Sequence, residues 1–401
     1  MRGIIKRELR NLRSPLYRNS IYISLSSLST ALAGFIFWAV AARLYPAGDV
    51  GIASAVVSAL NLTFQLSMLG MNYVLIRFYP EYHERAAGTA LFVTSIASLV
   101  FSLSYGLLMV TMRSFSGLKP SLFLVVFVTF SVVGTAYNVL STYAIARRKA
   151  EHSFIQSLLF SARFVFLFVL TALGALGIVS SFGLGLLLGL AYAVIFSGWV
   201  VPHLDREFLR DAFRFSLGNY IAGIASSASN YLMPTLVLGM LGREEAAYFY
   251  MAFAVGNLIL FIPNAINTSF FVEGSHGLAN MGRTLRKAIA FSYVYLAFAT
   301  LFVWLFGGYV LRFFGEGYVG GLGLLKLMVL GGFFVVLVNF SITVLNIQKR
   351  VKEVVAINVT KAALFLGLSY LLVPRFGIEG VGWGWIGSYL LSLMPSLVIM
   401  S

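Results

Sequence analysis

Long apolar runs, each interrupted by a few polar or charged residues, repeat along the whole chain. At ~1.5 Å of rise per residue, a helix of about 20 residues crosses a ~30 Å hydrocarbon core. The runs predict twelve spans, over residues 19–44, 49–76, 86–112, 120–146, 153–175, 180–201, 211–240, 246–272, 286–311, 319–347, 353–373 and 379–400. The first two form a hairpin joined at ARLYPAGDVG, Ala42 to Gly51. The second ends in IRFYPEYHE, where charge returns and Pro80 is expected to stop the helix. A similar hairpin returns 196 residues later: 219–241 is apolar, GREEAAYFY turns the chain, and 249–272 is apolar again. Asn61 and Asn257 take the same place in the second helix of each copy. A repeat of half the chain length predicts two related lobes of six helices, 1–207 and 208–401.

Composition fits this pattern. Of 401 residues, 59% are hydrophobic and only 11% charged, against about 25% charged in soluble domains. The fold class is therefore an all-α polytopic membrane protein. The absence of Cys excludes disulfides and thiolate metal sites. The net charge of +15 is expected to reflect charge bias across a membrane rather than nucleic acid. With the N-terminus inside, the inner segments hold 20 Lys and Arg and the outer loops 7. That split predicts a cytoplasmic-membrane protein with both termini in the cytoplasm. Residues 1–18 read equally as a short interfacial helix on an anionic leaflet or as a basic flank that only sets topology. No cleavable signal is expected, because the basic start leads into a run long enough to span.

Glycine pairs spaced by four, Gly185 and Gly189, Gly317 and Gly321, Gly380 and Gly384, predict close helix packing. Pro234 and Pro263 each remove a backbone hydrogen bond inside a span.

Two charges fall inside spans: Arg163 in the fifth and Lys361 in the eleventh. A basic residue at mid-helix costs roughly 2.5–3.5 kcal/mol on insertion scales and marks a functional candidate; the alternative is snorkelling to an interface. All 14 Asp and Glu fall in tails, loops or span ends. Cations without acids suit an anionic guest, since guanidinium and ammonium groups hold phosphate by charge-assisted hydrogen bonds. Amides within spans, among them Asn61, Asn138, Asn230 and Asn257, are either interhelical bonds or the lining of a cavity that meets a sugar.

Three stretches carry a resemblance: FWAVAARLYPAGDVGIASAV; LGMNYVLIRFYPEY, with Gly70, Arg77 and Pro80; and REEAAYFYMAFAVGNLILFIPNAI. The chain resembles the polysaccharide transporter family, the Wzx-type oligosaccharide or O-antigen flippases related to the multidrug and toxin extrusion (MATE) fold. The resemblance implies two six-helix lobes in an inside-out V. It also implies a flippase that moves a polyprenyl-(di)phosphate-linked oligosaccharide by alternating access, for surface-glycan assembly. Arg163 and Lys361, with Arg43 and Arg77 near the mouths, are expected to bind phosphate, and Asn61, Asn257, Asn138 and Asn230 the sugars. The implied partners are the lipid-linked anionic oligosaccharide, membrane lipids and glycan-assembly enzymes; no cofactor, metal or nucleic acid is expected. Many relatives carry an acid near the outer end of span seven, where this chain reads NYLMPTLVLG. That departure weighs against the alternative, a MATE-type cation-coupled drug or metabolite exporter. A membrane enzyme is a third class, disfavoured by short loops and by only three Asp (Asp49, Asp205, Asp211).

Overall fold

The structure is a computed structural model that describes residues 15–115, 119–197, 200–275 and 280–400. Most of the basic segment 1–18 therefore lies outside the described residues. Among them the chain is all-helical, with α1 (Pro15–Leu44), α2 (Ala47–Ser67), α3 (Met71–Val110), α4 (Pro120–Ala146), α5 (Ala150–Ser161), α6 (Arg163–Val169) and α7 (Ala175–Ser197) in the first part. Then come α8 (Arg206–Leu241), α9 (Arg243–Ser275), α10 (Met281–Arg312), α11 (Leu322–Ile347), α12 (Val351–Phe376) and α13 (Glu379–Met400). Among the described residues, nine helical runs are long and apolar enough to cross a membrane; one of them, Ala47–Val110, takes in two predicted spans. Spans seven and twelve correspond to α8 and α13. The burial pattern is that of a bilayer protein: Ile195, Val169 and Phe298 are exposed while Ser98, Thr94, Ser131 and Thr135 are fully buried. Two of these hydroxyls are satisfied within their own helices, Thr94 by Ala90 O at 2.7 Å and Thr135 by Ser131 O at 2.8 Å, and Thr135 also reaches Ser98 Oγ at 3.1 Å. The chain is a multi-pass membrane protein.

Two expected features differ. Pro80 does not end a helix: it lies inside α3, which continues to a kink at His83 (φ 47°, ψ −127°). A further break falls earlier, at Leu69 (φ 47°) and Gly70 (φ 78°), so Arg77 sits between the two, within α3. Span five is also interrupted. α5 stops at Ser161 and α6 begins at Arg163, with Ala162 closing a tight turn to Leu159 O at 3.1 Å.

The chain divides into two compact units: one of residues up to Tyr45 with Val56–Tyr220, the other of Pro46–Ala55 with Ile221–Ser401. The division falls inside α8 rather than at 207/208. Phe208 and Ala212 on the first half of α8 are fully buried in a cluster with Val74, Leu75, Ala86 and Tyr143. Tyr220 adds a hydrogen bond from its hydroxyl to Leu66 O at 2.8 Å. In the second unit, Gly51 in α2 lies against α9 so closely that a Cβ there would overlap Arg243 O.

The units share one internal plan. In the first, α3 packs on α4, and α4 and α5 both pack on α7; in the second, α10 packs on α11, and α11 and α12 both pack on α13. The turns after α4 and α11 are built alike. Arg148 and Lys349 have φ of 59° and 60°, and Lys149 N–H to Ala144 O and Arg350 N–H to Leu345 O both close at 2.9 Å. Asn61 and Asn257 each donate Nδ2 to the carbonyl one turn back, at 2.9 Å in both helices.

Near the start of α8, the 201–205 segment is tied to α3. His203 N–H bonds Gly88 O at 3.3 Å and Asp205 N–H bonds Thr89 Oγ1 at 3.0 Å. Asp205 accepts from the amides of Glu207 and Phe208 at 3.0 and 3.2 Å, capping α8, and pairs with Arg85 at 2.5 Å. Burial pushes the Asp205 carboxyl up, but those amides and Arg85 outweigh it and hold the group below its ordinary value of 3.8. Next to it Tyr82 donates to Asp211 at 2.8 Å, a bond that pushes the phenol up to about 12.

Candidate functional site

Arg163 is the first residue of α6, directly after the interruption of span five. Two glycines face it, one of them in close approach. A Cβ on Gly185 of α7 would lie 2.6 Å from Arg163 Cβ and 2.8 Å from Phe160 O, and a Cβ on Gly34 of α1 would lie 3.5 Å from Arg163 Nη2. Only glycine lets α7 approach the break this closely. Arg163 is 3% exposed as a whole residue, so it does not snorkel. Its carbon stands 3.8 Å from the Phe160 ring centroid, 5.3 Å from Phe37 and 5.6 Å from Phe182, and Nη1 donates to Phe160 O at 3.3 Å. Ring faces stabilise a desolvated cation by up to about 2 kcal/mol each.

Arg163 borders a cavity of about 530 Å³ in the first unit. Its walls are Ser26, Ser27 and Thr30 from α1, Asn61 and Phe64 from α2, Tyr137, Asn138 and Ser141 from α4, Ser157 and Phe160 from α5, and Phe182 and Leu186 from α7. None of these lining residues is acidic. Asn138 donates Nδ2 to Gly134 O at 2.8 Å, and the tip of the Phe64 ring abuts Gly134, where a Cβ would overlap it. Tyr137 is fixed from behind: the buried Gln156 donates Nε2 to its carbonyl at 2.9 Å. Ser141 and Ser157 add hydroxyls, Ser141 already bonded to Ser153 at 2.6 Å. Such a chamber offers one positive charge, aromatic faces, and amides and hydroxyls that both donate and accept.

The second unit treats its cation differently. Lys361 donates to Asn358 Oδ1 at 3.1 Å and stands 5.2 Å from the Tyr389 ring centroid. It faces a nook of only about 10 Å³ shared with Asn230, Ser229, Phe365, Trp385 and Ser388, room for about one water. The buried Trp385 Nε1 has no hydrogen-bond partner among the described residues. α12 runs unbroken past Lys361, so no gap opens there.

The structure thus gathers Arg163, Asn61 and Asn138 at one cavity and Lys361 with Asn230 at another. Arg43, in the last turn of α1, and Arg77, on α3, are exposed and line neither; Asn257 lies on an exposed face of α9 and also lines neither. The hydroxyls of α1 were missed. Their signal is the run SLSSLST, residues 24–30, inside an otherwise apolar span.

Comparison with known proteins adds lineage. A family model described as "Polysaccharide biosynthesis protein" matches residues 16–272. A putative O-antigen transporter of Shigella flexneri is 21% identical over 187 residues, 46% of this chain and 45% of that protein, so the match spans less than half of its length. Among solved structures, the lipid II flippase MurJ in an inward closed conformation superposes with a TM-score of 0.80 at 12% identity, covering 95% of this chain and 87% of MurJ. An inward-facing multidrug resistance MATE family transporter gives 0.72 at 16% identity, covering 94% and 96%. A MOP superfamily transporter from Pyrococcus furiosus, described by the reverse polarity of its binding pocket, gives 0.62 at 14%, covering 96% and 94%. These likenesses show the fold.

Proposed function

The chain belongs to the polysaccharide biosynthesis protein family, and from that premise we propose that it is a transporter rather than an enzyme, a flippase for a polyprenyl-(di)phosphate-linked oligosaccharide. The observation that carries this reading is the buried guanidinium of Arg163 bordering a chamber of hydroxyls, amides and ring faces. Phosphate takes the guanidinium, where a charge-assisted bond gains strength from the low dielectric. Sugar hydroxyls meet Asn61, Asn138 and the serines, and Tyr137 or Phe64 offers a ring face to the apolar side of a sugar. The lipid tail stays in the bilayer.

Translocation then needs no covalent step, only a site exposed alternately to either side and bound differently in two states. Lys361 and Asn230 serve a second station that is closed in this conformation. Arg43, in the last turn of α1, and Arg77, exposed on α3, draw the anionic head group in, and Asn257 extends the polar path. The 20-to-7 distribution of Lys and Arg supports a cytoplasmic-membrane location with both termini inside. Outward movement of an anion is then favoured by an inside-negative potential. The two units act as the lobes of the carrier, and glycan-assembly enzymes are its partners on either side of the step. A cation antiporter needs a membrane-embedded carboxylate, and neither cavity is lined by one among the described residues.

The test is reconstitution. Vesicles holding the protein and a fluorescent polyprenyl-diphosphate oligosaccharide are assayed for glycan accessible to an external reductant or lectin. Wild type is expected to equilibrate the glycan, and Arg163→Ala to fail while inserting normally. Wild-type flipping by Arg163→Ala would sink the reading, as would proton-driven drug export without glycan movement.

A further inference from the structure

The first unit carries another hollow of a different kind. A groove of about 620 Å³ lies between the Leu69–Met71 turn, Val93 on α3 and one face of α8. Its body is apolar, formed by Leu69, Met71, Val93, Leu209, Leu217 and Tyr220. The Tyr220 hydroxyl is spent on Leu66 O, so its ring serves as apolar wall. The groove is held in shape by the left-handed turn at Leu69 and Gly70, which presses on Ser216; a Cβ on Gly70 would lie 2.9 Å from Ser216 Cβ.

Two exposed arginines, Arg206 and Arg210, also line it, one helical turn apart. The neighbouring acids have other engagements. Asp205 caps α8 and binds Arg85, Glu207 lies 3.7 Å from the same Arg85, and Asp211 accepts from Tyr82. Arg210 reaches Asp211 only at 3.8 Å, in an exposed position. From Arg210 to Tyr220 a helix falls by ~15 Å, one leaflet of a ~30 Å core. The second unit supplies a contrast. Its groove of about 610 Å³, lined by Ile259, Phe298, Phe302, Val303 and Leu325 among others, has no charged residue in its wall.

We propose that the first groove is a binding site for a membrane lipid with an anionic phosphodiester head group, its phosphate between Arg206 and Arg210 and one acyl chain along Leu69, Val93 and Leu217. The occupant is a resident lipid and not the transported glycan, whose site is the Arg163 cavity. Charge complementarity selects the head group, and the apolar length selects a chain.

Native mass spectrometry of the full chain, released from detergent with equimolar phosphatidylglycerol and phosphatidylcholine, tests this directly. A basic residue near the surface favours an anionic lipid by roughly five-fold, so about 25-fold preference for phosphatidylglycerol is expected. Arg206→Gln with Arg210→Gln is expected to bring the ratio near one. Leu217→Trp, at a position 47% exposed and so tolerant of size, is expected to reduce both lipids by filling the groove. Arg283→Gln with Arg286→Gln, exposed on α10 and outside the groove, is expected to leave the preference intact. Retained preference in the Arg206/Arg210 variant overturns the proposal, as does equal loss in the α10 control. Displacement of phosphatidylglycerol by equimolar geranylgeranyl phosphate also overturns it, by assigning the groove to an isoprenoid carrier. None of these readouts depends on glycan flipping, so either reading can fail alone.

Discussion

Replacing Arg163 with methionine separates a structural role from a transport role. Met keeps an unbranched, flexible apolar stem, shorter than that of Arg, and removes the charge together with its hydrogen-bond donors. The stability terms nearly cancel. The ring at 3.8 Å contributes about 2 kcal/mol to the cation and the two more distant rings about 0.5–1 kcal/mol each. The bond to Phe160 O, at 3.3 Å, adds about 1.5 kcal/mol. Against that stands the desolvation of a guanidinium, several kcal/mol, which is why apolar replacement of buried charges is often neutral or stabilising. The expected change in folding stability is therefore within about 2 kcal/mol of zero. Binding is another matter. A phosphate loses a charge-assisted bond of about 1.5–3 kcal/mol, or roughly 10- to 100-fold in affinity. Arg163→Lys should fall between, since a point charge replaces the planar fork but the sign is kept. Intrinsic-fluorescence melting in detergent reads the first quantity and titration of reconstituted protein with glycan lipid reads the second. A variant that melts many degrees lower yet binds and flips as wild type would reverse the assignment and make Arg163 a packing residue.

Gly185→Val should lose about 1–3 kcal/mol of stability and most transport, because even its Cβ would sit 2.6 Å from Arg163 Cβ and 2.8 Å from Phe160 O; a melting shift below one degree would contradict it. Lys361→Met should lower turnover about ten-fold while leaving resting-state glycan affinity unchanged, because the nook beside it holds no more than about one water; a matching loss of affinity would place Lys361 in the resting site. For Asp205 the sign follows from its direction. A carboxyl held below its ordinary 3.8 stabilises the fold fully above that pH, and the contribution is lost as pH falls through the folded value. The melting gap between wild type and Asp205→Asn should therefore be flat near neutrality and close only below about pH 3.8. A gap that closes between pH 5 and 7 would mean that another group controls the junction.

Much of the fold was legible in the sequence because the bilayer imposes a length on every helix, and length survives where side-chain identity does not. The hairpin turn at Ala42–Gly51 and its partner at GREEAAYFY are where α2 and α9 begin. What the sequence hid was the tertiary origin of its irregularities. SARF, residues 161–164, contains neither Gly nor Pro, yet the span is interrupted there, and the glycine packed against that point, Gly185, stands on α7. Pro80, a strong local stop signal, acts three residues late: the helix breaks at His83, still within IRFYPEYHE, and no sign of the further turn at Leu69 and Gly70 was legible. The hydroxyl wall was equally hidden, since a serine that bonds its own helix reads the same whether it faces a neighbour or a cavity.

The two buried cations show why spacing alone could not rank them. Arg163 and Lys361 give the same signal, one base in an apolar run with no acid nearby. Their surroundings diverge through the backbone. A helix that breaks beside its cation exposes the end of one segment and the start of another, and a chamber of about 530 Å³ opens there. A helix that runs unbroken keeps its neighbours in contact, and Trp385, Phe365 and Tyr389 fill what would be the matching space. Two units built on one plan thus differ at the position proposed for the guest. Gly34→Leu, growing from a Cβ position 3.5 Å from Arg163 Nη2, should crowd the guanidinium and weaken glycan binding with Arg163 itself unchanged. Binding undiminished in Gly34→Leu would place the glycan elsewhere and leave the asymmetry of the two units without a role.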